Sequence, residues 1–130
     1  MRLLLDTHVL LWATLRPQLL PDQLQSQLLN PEHTLILSAA TAWELSIKHH
    51  LGKLPEAAPL LAFPEAARQL GAEILSISAV HTVHAGALAW AHRDPFDRML
   101  VAQAQLEGCR LVTLDDQIRD FASVPLYDWK

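Results

Sequence analysis

Residues 1–15 read MRLLLDTHVLLWATL. Three consecutive leucines, Leu3–Leu5, run straight into Asp6, and a helix-forming segment follows. A short apolar run without alternation suits a strand enclosed on both faces. The carboxylate then falls at the carboxyl end of that strand. Similar apolar runs return later: TLIL at 34–37, and LVTL at 111–114, followed directly by Asp115 and Asp116.

Working outward, strands are expected at Arg2–Leu5, Thr34–Leu37, Glu73–Ile77 and Arg110–Thr113, with a last short one at Val124–Tyr127. Between them, helices are expected over Thr7–Leu15, Pro21–Leu29, Ala39–Leu51, Pro64–Leu70, Ser78–His92 and Pro95–Glu107, and a short one from Asp115 or Asp116. Pro17 stops the first helix, Gly52, Gly71 and Gly108 close later ones, and Ser78 and Asp94 are suitable N-caps. Strands separated by helices imply parallel pairing and covered sheet faces. The expected fold is therefore α/β: a three-layer α/β/α sandwich around a central, mostly parallel sheet of four to five short strands. No internal repeat interrupts the pattern, and residues 1–130 read as one domain.

Composition narrows the function. Hydrophobic residues make up 51% and charged residues 18%, which excludes intrinsic disorder. The single cysteine, Cys109, excludes a disulfide framework and cysteine-rich zinc modules. With 10 basic and 14 acidic residues, net −4, the chain does not hold nucleic acid by bulk positive charge. No run is long and apolar enough to cross a membrane. Asp6 and His8 interrupt the apolar N-terminus, which argues against a signal peptide. A cytoplasmic protein is expected.

The acidic residues stand at informative points. Asp6 follows the first strand, and Asp115 and Asp116 follow the fourth. Asp94 and Asp97 open the helix at Pro95–Glu107. Each of Asp6, Asp94, Asp115 and Asp116 has a capping explanation. Capping does not explain Glu44, whose neighbours Ala42, Trp43, Leu45 and Ile47 are apolar and draw it towards an interior or cleft. Ligands of parallel sheets bind beyond the carboxyl ends of the strands. Like charges gathered there need a cation. Oxygen ligands select a hard divalent ion, Mg²⁺ or Mn²⁺.

Four blocks carry a family resemblance: LLLDTHVLLWA (3–13), SAATAWELSIKHHLGKL (38–54), HRDPFDRMLVAQAQLEG (92–108) and LVTLDD (111–116). Taken in order, they resemble PIN-domain proteins, and among these the VapC-type toxins of bacterial toxin–antitoxin pairs. The resemblance implies a metal-dependent endoribonuclease that hydrolyses RNA phosphodiester bonds by metal-activated water, leaving 5′-phosphate and 3′-hydroxyl ends. It implies Mg²⁺ as cofactor, with Mn²⁺ able to substitute. By position, Asp6 matches the first metal-binding aspartate, and Glu44 the acid of the family's SxxxxxE block. Asp97 matches the second aspartate of DPFD, a principal metal ligand. Asp115 matches the aspartate of the TxD element, and Thr113 its threonine. Asp94, Asp116 and Arg98 are supporting candidates, Asp116 as the neighbour that could reach the metal in place of Asp115. A small cognate antitoxin and a homodimer are implied as well.

Other readings are weaker. A receiver-like signalling domain needs an acidic pair after its first strand and a lysine after a late strand; only one acid follows the first strand here, and Lys48, Lys53 and Lys130 do not follow a late one. Seven histidines (8, 33, 49, 50, 81, 84, 92) show no spacing typical of zinc ligands. No phosphate-binding glycine loop occurs. Trp12, Trp43 and Trp90 read as core or partner-interface residues, with base stacking as the other role. A non-catalytic PIN-fold interaction protein that has kept the acidic cluster is the alternative. Leu10, Leu11, Leu15, Leu19, Leu20 and Leu24 exceed what a small core needs, so the first helices are expected to form an apolar partner groove.

Overall fold

The computed structural model describes residues 1–129. Strands β1 (Arg2–Leu5), β2 (Thr34–Ser38), β3 (Glu73–Leu75) and β4 (Arg110–Val112) form one sheet in the order β3-β2-β1-β4. Every pairing is parallel. Leu4 lies beside Ile36 on one side and Leu111 on the other. The helices are α1 (Thr7–Leu15), α2 (Asp22–Leu28), α3 (Ala39–His50), α4 (Phe63–Leu70), α5 (Ala79–Ala87), α6 (Pro95–Glu107) and α7 (Asp116–Arg119).

Alternation along the strands divides the core. Leu3, Leu5, Leu35, Leu37 and Val112 point to one face, where they meet Val9, Leu10, Leu24, Leu45 and Phe63 from α1–α4. Leu4, Ile36 and Leu111 point to the other, against Leu100, Val101 and Ala104 of α6 and Ile118 of α7. The sheet is thus covered on both sides, which the unalternating strand sequences demand. Gly108, at φ +65°, closes α6 in the left-handed region and lets the chain turn into β4.

The chain runs from β1 outward to β2 and β3, then returns to the far side of β1 for β4. That reversal opens a crevice at the carboxyl ends of β1 and β4, the standard ligand position in such sheets.

Besides shifts of one residue at other element ends, four features differ from the sequence expectation. β3 ends at Leu75, not Ile77. Val124–Tyr127 contributes a single parallel bridge, Leu111 to Leu126, and not a fifth strand. Most of the surplus leucines serve the core, with Leu10, Leu11, Leu20 and Leu24 buried where α1 and α2 pack onto the sheet, and the apolar recess of about 320 Å³ beside these helices is lined chiefly by Ala13, Pro17, Leu20, Leu28, Leu29 and Leu70. Only Leu19 of that set is largely exposed, at 47%.

The fourth difference is the segment Ser78–His92, where the helix stops at Ala87. The cause is Arg98. Its Nε donates to the carbonyl of Ala85 (3.0 Å). Its Nη1 donates to those of Trp90 and His92 (2.8 and 3.0 Å), and its Nη2 to those of Gly86 and Leu88 (3.2 and 2.9 Å). One guanidinium therefore takes five of the carbonyls between residues 85 and 92. Trp90 stacks flat on Phe121, with ring centres 4.6 Å apart. The irregular stretch before α6 is held in one shape, and it carries His92 and Asp94.

Arg98→Lys keeps the charge and loses the fork. Urea unfolding should show a loss of about 1–2 kcal/mol, since partly buried carbonyls lose charged donors. Hydrogen exchange should accelerate between residues 86 and 94 while β1 stays protected.

Candidate active site

Asp6 leaves β1 with its N–H bonded to the Val112 carbonyl of β4 (3.0 Å). Its Oδ1 caps α1 by accepting from Val9 N–H (2.9 Å). Its Oδ2 accepts from the Thr113 hydroxyl. The same Thr113 oxygen accepts from Asp115 N–H (3.0 Å), and the Asp115 carboxylate caps α7 through Gln117 N–H (2.9 Å). Asp6 is only 6% exposed. Burial pushes its pKa above the ordinary value, against the bonds from Thr113 and Val9 and the charge of His8, and Asp115 pushes the same way as burial. Asp6, His8, Trp12, Leu114 and Asp115 line an open recess of about 240 Å³.

The second half of the site comes from α3 and α6. Glu44 is 5% exposed. Its Oε1 accepts from the Thr7 hydroxyl (2.5 Å) and its Oε2 from Lys48 Nζ (2.6 Å). Thr7 directly follows Asp6, so one peptide unit ties the two halves together. Asp94 Oδ1 caps α6, accepting from Phe96 N–H (2.8 Å) and Asp97 N–H (3.2 Å). His92 Nε2 lies 2.7 Å from Asp97 Oδ2 and donates to the ionised carboxylate. One ligand atom each from His92, Asp94 and Asp97 lie within 4.8 Å of one another. Burial raises the Asp97 pKa to about 6; the charges of Asp94 and Glu44 add to this and His92 opposes it.

These groups suit a divalent cation. Asp6 and Asp97 are both raised above the ordinary carboxylate value, chiefly by burial, with a neighbouring carboxylate adding to the rise in each case, and a cation would favour their charged forms. The donors that converge are mainly carboxylate oxygens, the chemistry of a hard ion.

The sequence-derived residues divide accordingly. Asp6, Thr113 and Asp115 meet at the β1–β4 crevice, and Glu44, Asp94 and Asp97 meet between α3 and α6. Asp115, not Asp116, is the acid beside Asp6. Asp116 is the exposed first residue of α7 and borders an outer recess with Arg119 and Trp129. Arg98 does not face the carboxylates, since its guanidinium is spent on backbone carbonyls. Thr7 was missed: a threonine one residue past a strand carries no signal until α3 is packed beside it. His92, two residues before Asp94, is joined to the site by its 2.7 Å contact with Asp97. Trp43 is 60% exposed, not packed in a core, and meets Phe96 edge to face at the rim of the cleft.

A parallel α/β sandwich with Asp6 and Asp115 at its switch-point crevice and a second acidic group between α3 and α6 defines the class, and comparison with known proteins gives the family. The PIN domain model matches residues 3–124. Ribonuclease VapC22 of Mycobacterium tuberculosis (strain ATCC 25618 / H37Rv) is 31% identical over 119 residues, 89% of this chain and 88% of that protein. Ribonuclease VapC16 of the same organism is 42% identical over 53 residues, 40% of this chain and 38% of that protein. The solved structure of VapBC2 from Rickettsia felis bound to a DNA fragment from their promoter shares the fold, with TM-score 0.70, 21% identity and 100% of both chains covered. FitAcB from Neisseria gonorrhoeae does so with TM-score 0.69 and 22% identity, covering 98% of this chain and 97% of that one. The chain belongs to the PIN domain family.

The raised Asp97 pKa has a definite sign. Between about pH 4 and 6 the unfolded chain has already released this proton and the folded one keeps it. Asp97 thus makes the metal-free protein less stable as pH rises through that window. Melting curves in EDTA should show that slope flattened in Asp97→Asn. A cation must displace the same proton, so Mn²⁺ affinity, measured by calorimetry, should weaken below pH 6 by about tenfold per unit.

Proposed function

We propose that this protein is a VapC-type ribonuclease, an endonuclease that hydrolyses RNA phosphodiester bonds with a divalent cation and acts as the toxin of a toxin–antitoxin pair. The observation that supports the reading is a pair of acidic groups, Asp6 with Asp115 and Glu44 with Asp94 and Asp97, linked by the Thr7–Glu44 hydrogen bond, together with family membership over residues 3–124. The similarity to two ribonucleases VapC supports the activity. Mg²⁺ is the proposed ion, with Mn²⁺ as substitute.

Asp6 and Asp97 would hold it, with Glu44 and Asp115 beside them. The chemistry such a cation supplies is charge stabilisation at a phosphate and a lowered pKa of water. The chain's own residues prepare the place. Thr113 holds one oxygen of Asp6, and Val9 N–H holds the other. Thr7 fixes one oxygen of Glu44. Asp94, by capping α6, sets where Asp97 begins its helix. His92 fixes the Asp97 carboxylate from outside. Orientation is thus built in before substrate arrives.

The proposal includes a small cognate antitoxin, a homodimer and a cytoplasmic location, with residues 1–130 acting as one unit. Structural likeness to chains of VapBC complexes is in keeping with such a partner. No helix among the described residues is long and apolar enough to cross a membrane.

The test is digestion of total cellular RNA by purified, partner-free protein, with Mg²⁺ or Mn²⁺ compared with EDTA and cut sites read by end mapping. Discrete cuts that require metal are expected. Asp97→Asn should reduce them by about a hundredfold or more while keeping the wild-type circular dichroism spectrum. Cleavage that survives EDTA, or a fully active Asp97→Asn protein, would refute the reading. Metal binding without any cleavage would turn it towards an interaction protein.

A further inference from the structure

Lys48 has no role in the reading above, yet it stands against the acidic cleft. It lies one turn beyond Glu44 on α3, with Nζ 2.6 Å from Glu44 Oε2. Asp94 and Asp97 from the start of α6 act on the same charge. A single ammonium therefore serves carboxylates from two elements. The other donors to the carboxylates are of a different kind. Thr7 and Thr113 are neutral hydroxyls, His92 is spent on Asp97, and Arg98 is bound to backbone carbonyls.

An ordinary surface pair at this helical spacing contributes little. This one differs in two respects. The Glu44 side chain is almost wholly enclosed, and its other oxygen is already held by Thr7. Removing Lys48 would leave a buried carboxylate with a neutral donor alone. Burial of Lys48 itself opposes its charge, but the bond and charge of Glu44, with Asp94 and Asp97, outweigh that and keep it protonated. The stem reaches in from solvent, with the side chain 31% exposed. The ammonium can withdraw by rotation of side-chain bonds, with no backbone movement.

We propose that Lys48 is the built-in counter-ion of the metal-free cleft, and that its ammonium competes with the divalent cation for the same carboxylates. The inference rests on the metal-site reading given above. It has a two-sided consequence. Lys48 stabilises the empty cleft, and by the same contacts it weakens metal binding. A doubly charged ion held by Asp97 with Glu44 beside it would repel the ammonium and take over its electrostatic work.

The experiment compares wild type, Lys48→Met and Lys48→Arg by Mn²⁺ calorimetry and by melting in EDTA. Lys48→Met should melt lower without metal and bind Mn²⁺ about tenfold more tightly, the effect of removing one positive charge roughly 6 Å from a divalent ion in a wet site. Lys48→Arg should stay near wild type in both. The wild-type protein supplies a test that needs no variant. In a nitrogen-detected lysine spectrum, the Lys48 ammonium should be protected from exchange in EDTA and lose that protection with saturating Mg²⁺, while Lys53 does not change.

Mn²⁺ affinity of Lys48→Met equal to or weaker than wild type would overturn the proposal and leave the metal site standing. So would a Lys48 signal that Mg²⁺ does not alter. Absence of Mn²⁺ binding by the wild type at millimolar concentration would overturn both.

Discussion

The structure depends on the enclosure of β1. Leu3, Leu4 and Leu5 have no exposed surface, with a strand on each side and helices above and below. A strand so placed cannot shift by one residue without moving leucines between two differently shaped core faces. Its carboxyl end is therefore pinned, and the next residue, Asp6, has one place to go. There it bonds Val112 through the backbone and Thr113 through its side chain, which aligns β4 with β1 at the crevice. A packing constraint in the middle of the sheet thereby sets the position of a charged group at its edge.

That edge is electrostatically expensive. Asp6 and Glu44 are buried, Asp97 is mostly so, and Asp94 and Asp115 lie beside them. Each carboxylate has some protein donor: a helix N-terminus for Asp6, Asp94 and Asp115, a threonine hydroxyl for Asp6 and Glu44, His92 for Asp97, Lys48 for Glu44. Most of these donors are neutral and cannot cancel charge, only orient it. Concentrated like charge of this kind costs stability and is a mark of sites that bind or react.

The irregular stretch between α5 and α6 shows how the edge is held open. A continuous helix from Ser78 to His92 would carry His92 along its own axis. Arg98 gathers the carbonyls of residues 85–92 around one guanidinium, and the chain reaches Asp94 in the extended shape that an N-cap requires. A residue adjacent to the site thus acts on the scaffold and not on the ligand.

Much of this was legible in the residues themselves. Runs such as Leu3–Leu5 and Leu35–Leu37 announce strands enclosed on both faces, because alternation vanishes when both sides are dry. Gly108 and the Asp94–Pro95 pair mark helix ends through backbone geometry that is local. An aspartate at the end of an enclosed strand must lie on the sheet's carboxyl edge, so the general location of the acidic cleft was also determined by the sequence. What depends on distance in space was not. The pairing of Thr7 with Glu44 spans 37 residues and that of Asp6 with Thr113 spans 107. The choice of Asp115 over Asp116, the turning of Arg98 away from the cleft and the burial of the surplus leucines each depend on how helices settle against the sheet. Local sequence sets which conformations a segment prefers; only the tertiary structure brings together side chains from separate elements, because their neighbours exist only once those elements have packed.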